Sequence, residues 1–147
     1  MAKKGSYTVF YEVKEDFRAE VGSLGEILFK KGFYCYTGSA FGPGGLKRVS
    51  RHRKLCQNGE GNTHWHIDYL SVSNNTSFLG SFKAENEDIE CVLAESLQGE
   101  TFESFGCSDC GCESHLFYYK DKKKMLEDVK SSFENIGCDY SLNLLGT

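Results

Sequence analysis

The chain of 147 residues is 39% hydrophobic and 26% charged, with a formal net charge of −4. That composition fits a single domain over residues 1–147 and argues against a disordered chain or a general nucleic-acid coat protein. No run nears the roughly 18 apolar residues that cross a bilayer, so no membrane association is expected.

The basic tip "MAKKG" passes directly into alternating sequence without an apolar leader, as expected for a cytoplasmic protein. In that setting the seven cysteines read as thiols or metal ligands rather than a disulfide framework. Ser6 to Val13 alternates and is rich in β-formers, which predicts a first strand. Glu20 to Phe29 predicts a second, with Gly22 and Gly25 marking a turn or bulge inside it. Gly32 turns the chain into a third strand, Phe33 to Gly38, and the three are expected to form an antiparallel meander. "FGPGG" (Phe41 to Gly45) holds the only proline and precedes a helix from about Leu46 to Cys56.

After the loop "QNGEGN", His64 to Val72 alternates as a strand, "SNNTS" is a turn, and Phe78 to Lys83 is another strand. Glu85 to Leu97 has helical spacing, Ser104 to Ser114 is loop-like, and His115 to Lys120 is an apolar strand. A C-terminal helix over about 121–137 places Met125, Leu126, Val129, Phe133 and Ile136 on one face. The expected class is α/β of the α+β kind: a small, mainly antiparallel central sheet flanked by helices.

Four stretches carry side chains suited to chemistry. At about 100° per residue, Leu46, Val49 and Cys56 form one buried stripe of the first helix. Arg48 and His52 fall beside it, and Lys47, Arg51 and Lys54 lie further round. With Arg53 these cations are candidate contacts to a phosphate backbone. In the Glu85 to Leu97 helix, Glu90 shares a face with Leu93, Ala94 and Leu97, and Glu95 points about 140° away. An inward carboxylate is costly unless paired or metal-bound, which makes Glu90 a candidate ligand.

In "HWHIDYL", strand alternation would put His64, His66 and Asp68 on one face and Trp65, Ile67 and Tyr69 on the other. Two imidazoles and a carboxylate there could bind metal, orient water or touch phosphate. "GCSDCGCESH" sets Cys107, Cys110, Cys112 and His115 in an array of four N/S donors that suits tetrahedral Zn²⁺. The alternative is a tight loop with small buried thiols and His115 bridging to the "HWHID" strand.

"GSY" (Gly5 to Tyr7), "YTG" (Tyr36 to Gly38), Arg48 with His52 at i+4, and Glu90 on a later helix follow one another in this order. The order resembles the GIY-YIG nuclease domain, which has two strand tyrosines, a helical Arg, often a His one turn on, and a metal-binding Glu. "YTGSAFGPGGL", "HWHIDYL", the "EC" at Glu90 and the stretch Phe105 to Tyr119 are similar to one branch. Its members are grouped with Uri-type nucleases and are sometimes fused to endonuclease III.

The resemblance implies a DNA endonuclease that hydrolyses phosphodiester bonds with Mg²⁺ or Mn²⁺, in DNA repair and on structured or damaged DNA. An endonuclease III-type repair partner goes with it. It assigns Tyr7 or Tyr36 to the attacking water, His52 as the other candidate base, Arg48 to the phosphate and Glu90 to the metal. Alignment on an "LLLE"-like position of some relatives would select Glu95 instead. The acidic net charge and the long link from Tyr7 to Tyr36 keep an alternative, a nucleic-acid-binding module of the same fold with little or no cleavage.

Overall fold

The structure is a computed structural model that describes residues 3–42, 44–59, 61, 63, 65–103, 105–106 and 114–144. In chain order the strands and helices are β1 (Gly5–Val13), β2 (Phe17–Glu20), β3 (Glu26–Phe29), β4 (Gly32–Ser39), α1 (Lys47–Asn58) and α2 (His66–Ser71). Then come β5 (Thr76–Glu85), α3 (Glu90–Ser96), β6 (Glu100–Thr101), β7 (Leu116–Tyr119), α4 (Lys122–Ile136) and β8 (Ser141–Leu144). The central sheet has six strands in the order β6-β7-β4-β1-β5-β8, with every pairing antiparallel. The class is the expected mixed α+β one.

β1 is central and is buried along almost its whole length, because β4 and β5 flank it and both faces of the sheet are covered. Tyr7, Val9 and Tyr11 join Tyr34 and Tyr36 of β4, and on this face they pack with Val49, Ile67 and Leu70. Phe10, Cys35, Phe82 and Phe117 point the other way, where Leu93, Met125, Val129 and Phe133 cover them. Thus α1 and α2 lie on one face of the sheet, and α3 and α4 on the other. Each fully buried Phe or Leu contributes about 1.5–3 kcal/mol. Among the described residues, no helix is long and apolar enough to cross a membrane.

Three expectations are corrected. The segment from Glu20 to Phe29 is not one strand of a meander. β2 and β3 form their own two-stranded sheet, joined by a 3₁₀ turn at Gly22–Leu24, and β1 pairs directly with β4. Phe29 is buried against Phe17 and Tyr34, so the insertion packs as a hairpin through its aromatics.

The expected strand from His64 to Val72 is instead the helix α2. Ile67, Leu70 and Ser71 are buried at i, i+3 and i+4, a helical period. The Asp68 carboxylate accepts from the Trp65 N–H at 2.9 Å and caps the helix start.

Finally, Glu85 ends β5, and α3 begins only at Glu90. β6 and β8 add short strands at the two edges of the sheet. α4 spans Lys122–Ile136, closed by Gly137 in the left-handed conformation at φ 84°.

Candidate active site

The β1–β4 register sets the two strand tyrosines. Tyr7 pairs with Gly38 and Val9 with Tyr36, so both phenols project from one face of the sheet toward α1. Gly38 is required by closeness: a Cβ there would lie 2.3 Å from Tyr7 Cζ and 2.4 Å from its Oη. Gly38→Ala is therefore expected to push the phenol aside and lower stability by about 1–3 kcal/mol, the usual cost of overpacking. Denaturant unfolding checks it, and no loss of stability would mean that the ring has room to move.

α1 brings His52 to the same place. Its side chain is fully buried, and Nε2 lies 2.8 Å from Tyr7 Oη. The ring also meets Tyr36 edge-on, with centroids 6.2 Å apart. Burial drives the imidazole from its ordinary 6.5 down to about 4, so His52 is neutral at pH 7. Among the described residues, Nδ1 has no hydrogen-bond partner.

Burial likewise raises the Tyr7 phenol. The Arg48 guanidinium opposes that rise, and the Glu90 carboxylate adds to it. Tyr36 is also raised by burial, with smaller contributions from Tyr7 and Glu90. The charges of Arg48 and Glu90, from α1 and α3, are thus both felt at the Tyr7 phenol.

Arg48 is held by Nη1, which donates to the Ser39 carbonyl at the end of β4 at 2.7 Å. Its guanidinium lies 5.2 Å from the Trp65 ring, and that of Arg51 lies 4.5 Å from the same ring. Trp65 packs against the core, as its place beside Ile67 and Tyr69 implies, and its half-buried ring is also a platform for two guanidiniums.

Asp68 is fully buried and holds Arg51 in a two-point pair, with both N–O distances at 2.9 Å. Since α2 is a helix, His66 and Asp68 are turned about 200° apart and do not share a face. His66 instead accepts from the Gly106 N–H through Nδ1 at 2.9 Å.

Lys47 and Lys54 are exposed and Arg53 is half-buried. Lys47, Ser50, Arg51 and Lys54 line an open cavity of about 710 Å³. A second cavity of about 440 Å³ continues past Lys47 and Arg51 to Arg48 and Trp65. The cationic side of α1 thus runs from exposed lysines to the anchored Arg48.

On the far side of β4, His115 is buried. Its Nδ1 lies 3.0 Å from Thr37 Oγ1 and 3.9 Å from Glu90 Oε2. Burial lowers its affinity for a proton. One donor atom each from Glu90, Cys91 and His115 lie within 4.8 Å of one another, so this group could hold a metal ion. Cys91 was not a sequence candidate; its adjacency to Glu90 in "EC" was the only clue. Glu95 is exposed on the outer side of α3. His64, Cys107, Cys110 and Cys112, the remaining candidates, lie outside the described residues.

No curated protein and no solved structure matches the chain. The family model described as "Domain of unknown function DUF123" matches residues 6–138, a span from the second residue of β1 through α4 that holds every described residue of the site. The chain belongs to the DUF123 family.

Proposed function

We propose that this chain is a metal-dependent DNA endonuclease of GIY-YIG type, in the Uri-type branch, that hydrolyses phosphodiester bonds. The observation that carries the reading is the Tyr7–His52 hydrogen bond of 2.8 Å, set where the charges of Arg48 and Glu90 both act. Phosphodiester hydrolysis needs an oriented nucleophile and cationic stabilisation of the phosphoryl oxygens.

Arg48, fixed through Ser39, presents a planar fork to those oxygens. Tyr7 Oη orients the attacking water. A group that gains a proton only near pH 4 is a poor base at neutral pH, so His52 serves to hold the phenol in place. Glu90 supplies the one hard oxygen donor among Glu90, Cys91 and His115, and so the fit to Mg²⁺ or Mn²⁺ runs through that carboxylate. A bound cation of this kind supplies Lewis acidity and retained waters. Lys47, Arg51, Arg53 and Lys54 take the flanking phosphates. Structured or damaged DNA as substrate, an endonuclease III-type repair partner and a cytoplasmic location belong to the same proposal.

Purified protein is expected to nick supercoiled or branched DNA with Mg²⁺ or Mn²⁺ and to stop on addition of EDTA. Tyr7→Phe is expected to lower the rate by about 10²-fold. One observation favours a second reading: Tyr7 and Tyr36 are only 3% and 7% exposed, which restricts water at the phenols. Binding with a steep salt dependence but no nicking in either metal would replace the nuclease by a binding module.

A further inference from the structure

Glu90 and Cys91 open α3, and His115 immediately precedes β7, so two separate elements bring the three donors together. His115 is fixed twice by Thr37. The Thr37 N–H donates to the His115 carbonyl at 3.0 Å, and Thr37 Oγ1 lies 3.0 Å from the ring nitrogen Nδ1. The donors lie within 4.8 Å of one another. Around a tetrahedral zinc ion with Zn–S about 2.3 Å and Zn–N and Zn–O about 2.0 Å, donors sit about 3.3–3.6 Å apart. Side-chain rotation of about an ångström would close that gap, with a fourth donor, water included, completing the shell.

Mg²⁺ prefers oxygen and does not select thiolate, whereas a thiolate, an imidazole and a carboxylate together form a borderline-soft set. We propose that Glu90, Cys91 and His115 form a binding site for a divalent cation of the Zn²⁺ class. The site uses the same carboxylate that the nuclease reading gives to Mg²⁺, so the two ions compete for it. It stands or falls without any reference to DNA cleavage.

The test is made on the full-length chain, stripped of metal and free of nucleic acid. The rate of Cys91 alkylation by iodoacetamide is followed by peptide mass spectrometry, with half-buried Cys138 as the internal control. Zn²⁺ is expected to slow Cys91 alkylation at least about 10-fold and to leave Cys138 unchanged, while Mg²⁺ gives no protection. Losing even an outer-shell partner of a metal costs about 10–100-fold in affinity, so Glu90→Gln is expected to raise the protecting zinc concentration by at least that much. The Glu90 side chain is 23% exposed at a helix start, and circular dichroism verifies that the variant is folded.

Unchanged Cys91 alkylation in Zn²⁺, equal protection by Mg²⁺, or equal protection of Cys138 overturns the proposal. Zinc held by Cys107, Cys110 and Cys112 instead would leave Glu90→Gln like wild type, and that too overturns it. Cleavage assays play no part, so a catalytically inert protein can pass this test and an active one can fail it.

Discussion

Arg48→Ala is expected to nick DNA about 10²–10³-fold more slowly than wild type, the usual penalty for removing one preorganised donor from a developing charge. Of the two guanidiniums that act on the Tyr7 phenol, Arg48 acts more strongly than Arg51, and its Nη1 bond to Ser39 fixes the direction of its fork. Arg48→Lys keeps the charge but loses the planar two-point geometry, so it should recover only a small part of the rate.

The variant also loses a hydrogen bond to the Ser39 carbonyl and the face of Trp65, at a cost of about 1–3 kcal/mol. Nicking rates are therefore compared at a temperature where Trp65 fluorescence shows both proteins folded. Lys47→Ala, at the adjacent position, should weaken DNA binding with little change in the rate at saturating DNA. If Arg48→Ala nicks as fast as wild type, the phosphate is gripped elsewhere and the nuclease reading loses its centre.

The second large effect concerns stability against pH. His52 is fully buried, and its pKa falls from 6.5 in the unfolded chain to about 4 in the fold. Between those values the unfolded chain binds a proton that the folded chain refuses. Stability is therefore full above about pH 6.5, declines as pH falls toward 4 and levels off below it. The loss attached to this one residue is about 3 kcal/mol at 1.36 kcal/mol per pH unit.

Urea unfolding at intervals from pH 7 to pH 4 measures it. In His52→Phe the slope across that window should flatten by the same amount, although the variant is less stable at pH 7 because Tyr7 Oη loses its partner. Equal slopes in the two proteins would place His52 in contact with solvent and undo its role as the buried support of the Tyr7 phenol.

How much of this was legible beforehand differs from element to element. β1, β4, α1 and α4 were readable because each states its own period: alternation for the strands, and a stripe three to four residues apart for the helices. The same local patterns put Tyr7 and Tyr36 on strands and Arg48 and His52 one turn apart on a helix.

The "HWHIDYL" stretch was misread because a short run can satisfy two periods at once. Its Ile67 and Leu70, with the Ser71 that follows, fit a helix as well as its alternation fits a strand. The helical choice was made by the cap from Asp68 to Trp65 and by the two-point pair from Asp68 to Arg51 across to α1. The β2–β3 hairpin was misplaced for a related reason. Its strands would satisfy any antiparallel neighbour, and the pairing of β1 with β4 across the insertion took the place a meander would have given it.

Cys91 and Trp65 entered the site only through folding. A thiol beside a glutamate says nothing until His115 arrives from another element, and a tryptophan reads as core until two guanidiniums stack on its ring. Residues near in the chain thus declare the elements and which side chains share a face, since backbone geometry repeats over a few positions. Contacts between residues far apart settle which elements pair and which donors meet, because those energies exist only once the chain has closed on itself.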